Sequence, residues 1–162
     1  MARGLEADPF PAMLREGHRW QVWLAELLAA RGFRTEVDPL RCRPTIREYR
    51  DYGDEGDVRV YARSGGRRLL ACKAVRTRFN EPADYPYPTV IVDSVKSWDQ
   101  GPATAVVRIS QFTSGILVIP ATTQGTWARQ TFKTPDGPKP CYIVARSFCK
   151  TLDQLCDWLE AT

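Results

Sequence analysis

Between Ala12 and Arg31 the apolar residues Trp20, Trp23, Leu24, Leu27 and Leu28 recur at i, i+3, i+4, i+7 and i+8. That spacing draws one buried stripe on an α-helix. Gly32 follows at once, where a helix can close on a left-handed residue. Phe33 to Val37 then reads as a short strand. The period becomes two over Asp57-Val58-Arg59-Val60-Tyr61-Ala62-Arg63, and Ser64-Gly65-Gly66 supplies a hairpin turn. The return strand is Arg68 to Val75. Further strands are expected at Thr89–Val92, Ala105–Ile109 and Ile116–Ile119, with a short helix over Asp93–Gln100. Trp127–Phe132 and Tyr142–Ala145 read as strands around the turn Pro135-Asp136-Gly137-Pro138. A last helix spans about Leu152 to Leu159, capped by Thr151 and carrying Asp153 in its first turn, where the helix dipole favours negative charge.

Two connections are long. Asp38 to Gly56 is polar and rich in Arg, Pro, Asp and Gly, and connections of that length tend to carry function. Arg76 to Pro88 holds Pro82, Pro86 and Pro88 and threads Tyr85 and Tyr87 between them. With no repeat or linker, the order of elements predicts one mixed α/β domain over residues 1–162.

Composition narrows the class. The 162 residues are 43% hydrophobic and 26% charged, ordinary for a globular domain with a real core. No apolar run approaches the ~18 residues of a membrane helix. Met1 to Met13 lacks the apolar stretch of a secretory signal, so the expectation is a cytoplasmic protein. The five cysteines, Cys42, Cys72, Cys141, Cys149 and Cys156, are odd in number and show no CxxC pair, which argues against a disulfide framework or a zinc site. The single histidine, His18, reads as a helix-surface residue. The formal net charge of +4 implies no partner by itself. Its distribution says more: Arg41, Arg43, Arg47 and Arg50 crowd one segment, and Lys73, Arg76 and Arg78 another.

The chemistry is concentrated in the hairpin. Asp57 opens one strand, and Lys73 sits inside the strand paired with it, where an apolar setting demands a partner. Metal-dependent phosphodiester cleavage uses such an arrangement. Carboxylates hold Mg²⁺ through oxygen, the metal activates water, and a lysine orients or deprotonates that water. Cys72, between Ala71 and Lys73, could offer a metal only its backbone carbonyl.

From about Glu16 to Val75 the chain resembles the PD-(D/E)xK, or restriction-endonuclease-like, superfamily of nucleases. Gly17, Gln21, Leu28 and Gly32-Phe33 keep the spacing of that family's first helix, Asp57 matches its aspartate, and Lys73 matches the lysine of its E-x-K strand. Gln21 falls where the helix glutamate is often found. The resemblance implies a restriction-endonuclease-like α/β core: an N-terminal helix, then a mixed β-sheet flanked by helices. It also implies a Mg²⁺- or Mn²⁺-dependent deoxyribonuclease of small phage or bacterial type, acting in DNA processing, repair or recombination. Asp57 and the Cys72 carbonyl would be metal ligands, Lys73 would position the nucleophile, and Gln21 would support it. Arg41, Arg43, Arg47, Arg76 and Arg78 would contact phosphates, which lends affinity without sequence choice. Tyr85 and Tyr87 would either stack on nucleotides or pack over the hairpin. Junction-cutting members work as dimers, so a homodimer is an expected assembly.

One residue departs from the pattern. Ala71 stands where the family has the acid of E-x-K, and alanine cannot bind a metal. Three explanations compete: replacement of a glutamate to inactivate the enzyme, natural loss of cleavage in a nucleic-acid-binding or protein-binding descendant, and migration of the acid to Asp54 or Glu55.

Overall fold

The computed structural model describes residues 9–39 and 58–162, with side chains from residue 15 onward. The first helix, α1, covers Pro9–Ala30. It buries Trp20, Leu24, Ala25 and Leu28, with Trp23 and Leu27 packed beside them, so the apolar stripe faces the core. It ends in a Schellman turn: the Phe33 N–H donates to Leu28 O at 3.1 Å and the Gly32 N–H to Ala29 O at 2.9 Å. Gly32 has φ 92°, a left-handed conformation that costs most other residues ~1 kcal/mol.

The strands and remaining helices follow in chain order: β1 (Thr35–Glu36), β2 (Val58–Tyr61), β3 (Arg67–Val75), β4 (Thr89–Ser94), α2 (Val95–Gln100), β5 (Ala105–Ser110), β6 (Ile116–Pro120), β7 (Ala128–Thr134), β8 (Gly137–Ala145) and α3 (Leu152–Ala161). Five strands form the main sheet in the order β1-β2-β3-β5-β6. β3 and β5 run parallel, Leu70 opposite Ala105 and Lys73 opposite Arg108, while the other pairs are antiparallel. β4, β8 and β7 make a second, antiparallel sheet.

Each face of the main sheet has its own core, and strand alternation sorts the residues between them. Leu70, Val107, Ile109, Ile116 and Val118 meet α1 and α3 on one face, with Cys72 and Ala74 at its margin. Val106, Leu117 and Ile119 meet Phe79, Tyr85, Val90, Val92, Trp98 and Val144 on the other, with Ala71 and Val75 at its margin. The mixed sheet behind an N-terminal helix is therefore as expected. The second face is covered chiefly by strands, with Trp98 of α2 filling in.

α3 is locked by its predicted cap, Gln154 N–H donating to Thr151 Oγ1 at 3.1 Å, and by Arg63 donating to Glu160 at 2.9 Å. Among the described residues no helix is long and apolar enough to cross a membrane.

Candidate anion-binding site

Lys73 lies on the β3 face shared with Ala71 and Val75, the face that carries the second core. Its ammonium is 3.3 Å from Oδ1 of Asp93 on β4. A bulge explains the reach. Ile91 pairs with Ile143 and Asp93 with Tyr142, so Val92 is an extra residue that breaks the alternation. Val92 is fully buried, and Asp93 after it still turns to the sheet. Its Oδ1 also accepts from the Ser94 N–H at 2.7 Å. Solvent reaches 35% of the Lys73 side chain and 15% of that of Asp93.

Arg108 completes the group. It sits directly across from Lys73 on β5, so both side chains rise from one face at the ~4.8 Å spacing of neighbouring strands. The guanidinium makes one long bond, Nη2 to Val92 O at 3.4 Å, and its buried Nε has no partner among the described residues. Burial pulls the Arg108 pKa down, against the opposing influence of Tyr85, Asp93, Cys141 and Cys149. The same burial pushes the Tyr85 phenol up and the Cys149 thiol to about 12, both eased by Arg108. Cys149 is therefore a protonated thiol at neutral pH and no nucleophile. Two cations thus rise from one face of the sheet, with Asp93 in ion-pair contact with Lys73. A buried N–H left without an acceptor costs ~1–3 kcal/mol; an anion arriving from solvent would meet Lys73, while the Arg108 Nε is closed to it.

Among the described residues no three His, Cys, Asp or Glu side chains group to hold a metal ion, and Asp93 is already engaged by a lysine. Asp57, Asp54, Glu55, Arg41, Arg43, Arg47 and Arg50 lie outside the described residues.

Among the remaining predicted site residues, Tyr85 lies within electrostatic reach of Arg108. Gln21 belongs to α1, which packs on the opposite face of the main sheet from Lys73. The Cys72 side chain turns to that α1 face as well, whereas the ligand expected from this residue is its backbone carbonyl. Arg76 and Arg78 are exposed, and Arg78 lies 5.2 Å over the ring of Phe112. Tyr85 is buried with its ring 5.3 Å from Phe79, so it packs and is not offered for stacking; Tyr87 beyond it is 58% exposed. His18 at the surface donates from Nε2 to Asp38 O at 3.0 Å.

Sequence reasoning missed Asp93 and Arg108. The signal for Arg108 was present: one cation inside Ala105-Val106-Val107-Arg108-Ile109 poses the same question that singled out Lys73. No family model, curated protein or solved structure matches the chain.

Proposed function

We propose that the chain is a DNA-binding protein of the restriction-endonuclease-like kind, in which Lys73 takes a backbone phosphate with the buried Arg108 adding positive charge behind it, and phosphodiester cleavage is disabled at Ala71. The observation that carries this reading is the placement of Lys73 and Arg108 opposite each other on adjacent strands, with Asp93 in ion-pair contact with Lys73 alone. A phosphate oxygen is an acceptor that suits the Lys73 ammonium. Lys73 is the member open to solvent, so it meets the ligand first, while Asp93 holds its ammonium in place when no ligand is bound.

Ala71 sits two residues before Lys73 on the same face and at the margin of the core. A glutamate there would rise from the same strand face as Lys73, at a partly buried position. Cleavage chemistry belongs to that variant and not to the sequence as it stands.

The test is fluorescence anisotropy with a labelled duplex across a salt series. The wild-type protein should bind with an affinity that falls steeply with salt, and Lys73→Ala should weaken binding and flatten the log–log slope by about 1. Ala71→Glu should gain Mn²⁺-dependent cleavage that Ala71→Glu/Lys73→Ala lacks. Salt-independent or undetectable DNA binding by the wild type would end this reading.

A further inference from the structure

We infer that the β7–β8 hairpin is a groove-inserting arm for duplex DNA; this rests on the DNA-binding reading above. β8 joins β4 only through Cys141–Ala145, whereas its pairing with β7 continues to the turn, Thr131 opposite Pro140 and Thr134 opposite Gly137. The outer part is thus a two-stranded ribbon. None of residues 121–140 is buried, so both faces of the ribbon meet solvent. Its four residue pairs extend about 13 Å at ~3.3 Å per residue. The major groove of B-DNA is about 12 Å wide and 8.5 Å deep and admits such a ribbon.

The charges are placed for groove walls. Lys133 lies on one face of the ribbon, with Arg129 on the same face at its root over the Tyr142 ring, while Lys139, opposite Phe132, lies on the other. A ribbon entering tip-first would present cations to the phosphates on both sides. At its tip, the Asp136 carboxylate is a polar group able to accept from a base edge. The tip is well formed: Gly137 has φ 107° and Thr134 Oγ1 donates to Gly137 O at 2.7 Å.

The arm is also stiff at its root and protected from rival uses. Trp98 and Trp127 stack edge-on at 4.9 Å, Trp127 and Tyr142 lie 5.7 Å apart, and the Tyr142 hydroxyl donates to Asp99 at 2.8 Å. Pro138 and Pro140 occupy the stretch of β8 beyond the end of β4. Neither has an N–H, so that edge cannot extend the sheet into another chain. A cationic ribbon with one blunted edge suits a nucleic-acid groove better than strand exchange with a second copy.

The experiment compares the full chain with the triple variant Arg129→Ala/Lys133→Ala/Lys139→Ala. All three side chains are exposed, and circular dichroism with thermal unfolding would confirm the fold. Losing three phosphate contacts should reduce the salt slope by about 2.7 and the affinity for duplex DNA roughly 100-fold near 0.15 M salt. The wild type should prefer duplex DNA to A-form duplex RNA, whose deep, narrow major groove excludes side chains, and the variant should lose that preference. A wild type that binds DNA while the triple variant binds it with unchanged slope would overturn the arm and spare the Lys73–Arg108 site. Equal binding to duplex RNA would do the same, as would self-association that the triple substitution abolishes. A wild type that binds no DNA would remove both readings together.

Discussion

Asp93→Asn isolates the electrostatics of the candidate site with almost no change of shape. Asparagine keeps an acceptor for the Ser94 N–H but leaves Lys73 and Arg108 without a counter-charge. Removing one partner of a fully buried pair costs ~3–5 kcal/mol. Here solvent reaches 35% of the lysine and 15% of the aspartate side chain, so the loss should be well below that, about 1–2 kcal/mol. Two like charges facing each other on adjacent strands add up to ~1 kcal/mol. A total near 2 kcal/mol corresponds to a fall in Tm of roughly 4–8 °C for a chain of this size. Thermal unfolding of wild type, Asp93→Asn, Lys73→Met and the double variant closes a cycle in which the double variant should be less damaged than the sum of the singles. The same substitution removes an internal competitor for the cations, so duplex DNA should bind more tightly even as the fold weakens. A Tm within about 1 °C of wild type, or additive single effects, would refute the pair as a coupled unit. Weaker DNA binding by Asp93→Asn would refute its role as competitor.

Other substitutions test other parts of the structure. Arg108→Met replaces a partly unsatisfied buried cation by an apolar side chain of similar length; it should leave Tm unchanged or raise it by a few degrees while lowering DNA affinity, read by unfolding and anisotropy on one preparation. Gly115→Ala should be severely destabilising, because a Cβ there would stand 2.1 Å from Phe79 O; urea titration should show a loss of more than ~2 kcal/mol. Asp84 accepts backbone N–H bonds from Glu81 and Asn80, each at 2.9 Å, which hold its pKa below the usual 3.8. A carboxyl whose pKa is lower in the folded state adds stability above its unfolded pKa and loses it as pH falls through the folded one. Asp84→Asn should therefore lower stability at pH 7 and close the gap to wild type as the pH falls below about 4, followed by unfolding at each pH.

Much of this architecture could be read locally. The α1 stripe, the Gly32 stop, the β2–β3 hairpin around Gly65 and the Thr151 cap are each written within a few residues, because their physics is short-range. The second sheet was not legible. Thr89 to Val92 looks like any other apolar strand, and only its pairing with β8, more than fifty residues on, takes it out of the main sheet. The site was legible to the same degree. A lysine inside an apolar strand announced that it needed a partner, but the described partner, Asp93, arrives through a bulge and a distant strand. Nothing in the spacing of Asp93 from Lys73 encodes that meeting.

The parallel contact between β3 and β5 also governs how the molecule can be made. Leu70 and Ala105 are neighbours in space but thirty-five residues apart in sequence. The centre of the main sheet therefore closes only after the chain has laid out β4 and α2, at an entropic cost that grows with the loop. Contacts of that range slow folding. During synthesis the β2–β3 hairpin would emerge well before β5, with the apolar row of β3 awaiting its cover. The rate-limiting event should be the arrival of β5, so truncating Ala105 to Val107 side chains should slow refolding, whereas changes in the late-docking α3 should chiefly hasten unfolding.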